Sequence, residues 1–425
     1  MALKEFKFGF GTGTQSVMLP EEHISDVIEG NPTPAVDVKE ATIECMRHPI
    51  GSAPLQEVVK KGDKVCIVCA DVTRTWNHSD QFVIHVVNEL NLAGIPDEDI
   101  TIVFAQGTHR AQTHEEDIRV VGEEVAGRIR LIQHDSRDKD GLTLVGTTKL
   151  GTPVWINKHV AEADKVILVN GITTHLFAGY GGGRKAVLPG CAAMETVRKN
   201  HSYMLEPTAG LGITIGNPCY EDQMEGVSLF ARGRSLFLFN AILNAKHEFL
   251  SIFAGDWRLA HKEACRFVDR AYGCVIPKEA DLVIASCGGY PKDINVYQMQ
   301  KTMDNAACAV REGGVVVLLA ECEEGSGSAK LEETFRRLVT PEAIRRELEE
   351  NFQIGANKAF AISRPQSKAR FILVTKLDRD LAKSMLFTAA VDSVEEALAI
   401  AKTYVGEHPS VILMPEGSLT VPRVG

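Results

Sequence analysis

Lys165-Val-Ile-Leu-Val-Asn-Gly-Ile-Thr-Thr-His175-Leu-Phe-Ala-Gly-Tyr-Gly-Gly-Gly-Arg-Lys185 reads as a strand that empties into a glycine-rich loop. Its opening run, Lys165 to Val169, is the apolar kind expected of a strand covered on both faces. The loop holds four glycines within five residues, Gly179 and Gly181 to Gly183, and glycine permits positive φ and close approach of backbone to a bulky ligand. Lys185 at its end has the chemistry to neutralise a phosphate or to act as an amine nucleophile. The spacing is not that of a phosphate loop of the GxxxxGK[ST] type, since Arg184 stands five residues after Gly179 and Ala186 follows Lys185. Alone, the loop reads as a surface turn with a solvated Arg184-Lys185 pair. His175 within it and Asn200-His201 beyond it shift the reading toward a site.

The same alternation extends outward in both directions. Strands are expected at Lys64–Asp71, Asp99–Ala105, Arg128–Gln133, Ser235–Asn240, Asp281–Ser286, Gly314–Leu319, Arg370–Thr375 and Ser410–Met414, several of them nearly continuous apolar runs. Helices are expected between them. Asp80–Leu92 has apolar residues at helical spacing, and Thr113-x-x-Glu116 is a capping box. Asp256 caps a helix to Ala271, Thr340 caps one that opens on Pro341, and Ser393 starts another. The pattern predicts an α/β protein of two α/β domains with mostly parallel sheets. The expected boundary near Tyr272–Lys278 gives a cofactor-binding domain of residues 1–272 and a second of 273–425. The segment from Pro409 is a candidate for crossing back to the first, and motifs from both domains predict a site in a cleft between them.

Composition excludes several classes. At 425 residues the chain exceeds one typical core, and 44% hydrophobic with 24% charged residues is ordinary for a globular protein. A net charge of −10 argues against nucleic acid or an anionic membrane as partner. No apolar run approaches membrane-spanning length, and the N-terminus has no secretory pattern, so a cytoplasmic protein with reduced thiols is expected. Cys66 and Cys69 lie three apart in a strand, hence on opposite faces, and read as small core residues.

Four histidines sit where ordered segments give way to turns: His109, His134, His175 and His201. His109 and His175 follow strands, where open α/β sheets bind ligands. Asp71, also after a strand, suits a ribose diol, and Arg74 suits a carboxylate or phosphate; an Asp-Thr turn with a solvated Arg is equally compatible. Gln298 and Lys301, three apart on one helix face, suit a substrate carboxylate, or are a plain surface pair. No HExxH, paired CxxC, GxSxG or GxGxxG motif is present.

Gly107-Thr-His-Arg110, His175 with Ala178-Gly-Tyr-Gly-Gly-Gly-Arg-Lys185, Leu188-Pro-Gly190, Asn200-His201, Gly216-Asn-Pro218 and Tyr297-Gln298-x-x-Lys301 together resemble the lactate racemase family of nickel-dependent 2-hydroxyacid racemases and epimerases. The resemblance runs in one order from Asp71 to Lys301. It implies a nickel pincer nucleotide, a pyridinium mononucleotide with two sulfur arms and a ring carbon bound to nickel. Lys185 would join it through a thioamide and His201 would ligate the nickel. Asp71, Thr73, Gly181, Gly182 and Gly183 would lie by the nucleotide, and His109 and His175 would form the acid/base pair. Arg74, Tyr297, Gln298 and Lys301 would hold the substrate. Cofactor-synthesis enzymes would be partners in maturation.

Hydride chemistry suits these residues. A histidine of pKa about 6.5 is too weak to take the α-hydrogen of a 2-hydroxy acid as a proton, whereas hydride removal needs a base only for the hydroxyl. Imidazole is also a natural nickel ligand. Two departures fall on the substrate side. Thr75-Trp76 follows Arg74 where the family has a proline, and no tryptophan lies beyond Trp257, leaving Phe352 or Phe360 to fill the pocket. The substrate is therefore expected to be lactate-like or a larger hydroxy acid. The rivals are a nucleotide- or anion-binding protein using Arg184 and Lys185, and a 2-hydroxyacid oxidoreductase.

Overall fold

The computed structural model describes residues 3–425, and the chain divides into two compact units. One is Thr33–Asp269; the other joins the residues up to Pro32 to Arg270–Gly425. Every strand expected from the sequence is present, as is every expected helix, most of them within one to three residues at each end.

In the unit Thr33–Asp269, six strands lie in the order Arg130–Gln133, Ile100–Ala105, Val65–Ala70, Lys165–Gly171, Ser235–Leu243, Phe249–Asp256. All neighbours are parallel except the last pair. Counted along the chain this is the 3-2-1-4-5-6 order of a doubly wound sheet, whose order reverses between Val65–Ala70 and Lys165–Gly171. Val65–Ala70 is buried at all six positions, which is why it lacks an apolar/polar alternation. Burial of each such Val, Ile or Leu side chain contributes about 1.5–3 kcal/mol. Cys66 and Cys69 are core residues here, their thiols pushed up to about 12 by burial. The helix His114–Val121 starts on the expected box: the Thr113 hydroxyl accepts from Glu116 N, and the Glu116 carboxylate accepts from Thr113 N.

The second unit has an all-parallel sheet in the order Ala389–Val391, Arg370–Val374, Val310–Leu319, Ala280–Ser286, Val411–Met414, Ile24–Val27. The expected domain extents need two corrections. The N-terminal residues belong with this unit, where Ile24–Val27 supplies its edge strand. The hairpin Leu3–Phe10 and Gly13–Pro20 adds Phe8, Val17 and Leu19 to its core. The segment from Pro409 stays here too, since Val411–Met414, buried at all four positions, pairs with a strand on each side. No helix among the described residues is long and apolar enough to cross a membrane.

A chain starting at Thr33 loses that edge strand and hairpin. Hydrogen exchange should then accelerate in Val411–Met414 and Ala280–Ser286 while Val65–Ala70 and Lys165–Gly171 stay protected; equal loss in both sheets would contradict this division.

Candidate active site

The unit Thr33–Asp269 places several predicted residues beyond the carboxyl ends of its strands. Asp71, 4% exposed, follows Val65–Ala70. Its Oδ1 accepts from the Thr73 hydroxyl at 2.6 Å, and its Oδ2 is 2.6 Å from Nδ1 of His109. Arg74 donates to the Thr73 hydroxyl at 3.0 Å. Burial pushes the Asp71 carboxyl up, but His109, the Thr73 hydroxyl and Arg74 outweigh it and hold the group below the usual carboxylate range. The structure thus gives Asp71 a partner that sequence reasoning missed, where a ribose diol was expected. The His109 loop is tied to the glycine loop through Gly107 N donating to Gly190 O at 2.8 Å.

Arg184 turns inward, which corrects both the solvated Arg-Lys pair and the anion grip expected of it. It is 1% exposed, and its Nη2 donates to the carbonyls of Ala178 at 2.6 Å and Tyr180 at 3.1 Å. Its guanidinium lies over the Tyr220 ring, 3.9 Å from the centroid. Among the described residues it has no ion pair with a carboxylate. His261, 2% exposed, holds the adjacent Gly181 carbonyl at 2.9 Å, and burial followed by the Arg184 charge pushes its pKa down to about 3. Gly182 and Gly183 have φ of +65° and +50°; a Cβ on either would meet Asn240 Oδ1 at 2.7 Å or His261 Cδ2 at 2.5 Å. Gly181 differs: an added Cβ would meet Thr173 O at 3.6 Å, an ordinary van der Waals contact without overlap.

Phe177, which the sequence reading passed over, is the hub of the loop. Its ring centroid is 4.6 Å from that of His175 and 5.0 Å from that of His201, and Lys185 Nζ lies 5.8 Å from it. Asn217 fixes its backbone, donating to Phe177 O at 2.9 Å while its Oδ1 caps the helix Pro218–Phe230. That accounts for the Gly216-Asn-Pro218 motif. The His175 ring accepts at Nδ1 from Ala178 N at 3.2 Å and Phe177 N at 3.5 Å. His201 is on the helix Met194–Ser202, anchored by the buried Asn200, which donates to Asp222 at 2.8 Å and Cys219 O at 3.1 Å. Burial, then the Lys185 ammonium, push the His201 pKa down to about 3; the Val197 carbonyl pulls the other way without completing a hydrogen bond to the buried Nδ1. The ring is neutral, with a lone pair for a ligand. His134 is not part of this group: it is 2% exposed and bonded to Ala192 O and Asn157.

In the other unit, the helix Val296–Ala307 follows the strand Ala280–Ser286 and is capped by Asn295. Its first two turns are buried except at Tyr297, Gln298 and Lys301, the trio singled out from the sequence. The Lys358 ammonium sits 4.2 Å from the Tyr297 ring centroid. Phe352 and Phe360 are 8% and 6% exposed.

A doubly wound sheet with histidines, a lysine and a glycine-rich loop beyond its strand ends is the build of a small-molecule enzyme. The chain matches the lactate racemase N-terminal domain over residues 10–212 and the lactate racemase C-terminal domain over residues 275–421. It is 28% identical to a lactate racemase of Thermoanaerobacterium thermosaccharolyticum over 97% of this chain and 98% of that one. To a lactate racemase of Lactiplantibacillus plantarum it is 33% identical over 68% of this chain and 67% of that one. The apoprotein structure of a lactate racemase from T. thermosaccharolyticum superposes with a TM-score of 0.90 at 27% identity, over 99% of this chain and 100% of that one. A Thermotoga maritima structure, at 16% identity and TM-score 0.69, covers 93% of this chain and shares the fold. The chain belongs to the lactate racemase family and is an isomerase, a racemase.

Loop glycines should separate in a stability measurement on cofactor-free protein. Gly183→Ala should lower stability by about 1–3 kcal/mol through strain and overlap with His261, whereas Gly181→Ala should stay within about 0.5 kcal/mol of the parent. His201 and His261, both with pKa pushed down to about 3, take protons more readily when unfolded. Their contribution to stability is therefore full above about pH 6.5 and lost as pH falls toward 3. A thermal midpoint that rises on acidification from neutral pH would contradict these buried neutral rings.

Proposed function

We propose that this chain racemises a 2-hydroxy acid, lactate or a larger relative, on a nickel pincer nucleotide tethered at Lys185. The observation that carries the reading is the cluster around Phe177, where Lys185, His175 and His201 meet at one ring. His201 is neutral with its Nδ1 buried and unpartnered, which suits a metal ligand. No group of three or more metal-ligating side chains occurs among the described residues, so a nickel held by His201 would draw its other ligands from an organic group. The bound nucleotide would supply an acceptor for the hydride of the substrate α-carbon.

The chain's own residues would do the rest. Lys185 tethers, and His201 ligates. His109, backed by the buried Asp71, and His175 form the acid/base pair, one for the hydroxyl position of each enantiomer. Arg74, Tyr297, Gln298 and Lys301 orient the carboxylate. Against the anion-binding rival stands Arg184, whose guanidinium is committed to loop carbonyls. Thr75-Trp76 after Arg74, and Phe352 or Phe360 in place of a tryptophan, would set the chain length of the acid, which is where this protein would differ from its relatives.

Protein coexpressed with the cofactor-synthesis enzymes should carry a mass adduct and about one nickel per chain. Both should vanish in Lys185→Ala. It should interconvert lactate enantiomers without added NAD, keeping a C2 deuterium in the product. Washout of the label to solvent, or full activity in Lys185→Ala, would overturn the proposal.

A further inference from the structure

We propose that the turn of the N-terminal hairpin, held by Asp293, is a positioning element for the substrate: it sets where the helix Val296–Ala307 presents Tyr297, Gln298 and Lys301. The proposal rests on the racemase reading, in which those three side chains hold the acid. Its first test needs neither cofactor nor substrate.

In the unit that joins the N-terminal residues to Arg270–Gly425, the sheet order turns back at the strand Ala280–Ser286. Val310–Leu319, Arg370–Val374 and Ala389–Val391 lie on one side of it, and Val411–Met414 pairs on the other. An open parallel sheet leaves a crevice beyond the carboxyl ends of its strands at such a point, and a ligand commonly fills it. Here the chain's own hairpin turn does. The Gly11 carbonyl accepts from Tyr290 N at 2.8 Å, and the Gly9 carbonyl accepts from the Ser286 hydroxyl at 2.5 Å. The approach is backbone on backbone. A Cβ on Gly9 would meet the Gly288 carbonyl carbon at 2.7 Å, and one on Gly289, at φ +79°, would meet Gly11 O at 2.8 Å. Lys292 of the same loop pairs with Glu416, just beyond Val411–Met414, at 3.2 Å, so both loops at the reversal are tied down.

Asp293 joins the turn to the helix. It is 1% exposed, and its Oδ2 accepts from Gly11 N at 2.7 Å and Glu321 N at 3.2 Å. Hydrogen bonds to a carboxylate are the stronger kind. The Asp293 carbonyl accepts in turn from Cys322 N at 2.8 Å. Two residues on, Asn295 Oδ1 accepts from Gln298 N at 3.0 Å and starts the helix. Backbone fixed at Asp293 therefore fixes the first turn, where Tyr297 and Gln298 are exposed, and with it Lys301 one turn further on. Core packing is a separate task of the hairpin. Phe8, Val17 and Leu19 fill the core from its strands, whereas Gly11-Thr12 at the turn has no apolar side chain to add. Asp293 is a positioning residue, acting through the loop that carries it.

Amide exchange in cofactor-free protein reads this linkage directly. The Gly11, Tyr290 and Gln298 amides should be slow in the parent. Asp293→Ala, which removes the acceptor, should speed all three by about tenfold or more while Val65–Ala70 stays protected. Fast exchange in the parent, or a Gln298 amide unmoved in Asp293→Ala, overturns the proposal. In loaded enzyme assayed on lactate and its longer homologues, Asp293→Ala should raise KM by about tenfold or more with a far smaller change in kcat. Nickel and the Lys185 adduct should match the parent, since Lys185 and His201 belong to the other unit. Asp293→Asn, which keeps an acceptor oxygen, should recover most of the loss. Gly289→Ala, which presses on Gly11 O from the loop side, should reproduce the KM effect and serves in its place where Asp293→Ala does not fold. An unchanged KM, or nickel and adduct falling together with activity, overturns the positioning role. Parent enzyme that carries nickel yet racemises none of these acids would sink the racemase reading instead, leaving the exchange result to stand by itself.

Discussion

A buried guanidinium with no carboxylate partner among the described residues holds the loop between His175 and Lys185 from the inside. Taking a charge out of water costs several kcal/mol unless its hydrogen bonds are replaced. Arg184 recovers part of that through the Ala178 and Tyr180 carbonyls and through the face of Tyr220. Those carbonyls lie between His175 and Lys185 in the chain. A loop of so many glycines would otherwise sample many shapes; moulded around Arg184, it has few. His261 on the Gly181 carbonyl and Asn240 on the Gly183 N–H close the remaining freedom. The shape of the loop is thus set by contacts within the protein.

The sheet explains where these parts stand. Asp71 and Arg74 follow the strand on one side of the order reversal, and the His175 loop follows the strand on the other. That reversal is where doubly wound sheets open a crevice. Its strand order is that of dinucleotide-binding folds, yet the first strand leads into Asp71-Val-Thr-Arg74 and a short helical turn in place of a glycine finger. The phosphate-binding chemistry of that finger is therefore missing, and the glycines appear after the fourth strand, next to a lysine.

Much of this was legible in the sequence, for physical reasons. Strands buried on both faces announce themselves as apolar runs, so the parallel sheets and the histidines at their ends could be read directly. Motif order carried the family. Tertiary partners could not be read. Arg184 beside Lys185 looks like a solvated pair because nothing local shows that Tyr220, thirty-six residues on, supplies a ring beneath it. Phe177 looks like core filler, and nothing near Asp71 in the chain shows that His109 reaches it from another strand. The hairpin Leu3–Pro20 and the edge strand Ile24–Val27 are half exposed, so their alternation is weak, and pairing with Val411–Met414 across almost the whole chain leaves no local trace.

Preorganisation of the loop is the central claim, and amide exchange in cofactor-free protein measures it most directly. Lys185 N donates to Gly182 O at 3.0 Å, Gly181 N to Thr173 O at 2.8 Å and Gly183 N to Asn240 at 3.1 Å, and all three should exchange slowly. Arg184→Met, which keeps bulk but removes the donors, should free all three amides while leaving those of Val65–Ala70 protected. Fast exchange at these amides in the parent protein, or slow exchange that survives Arg184→Met, would contradict the account.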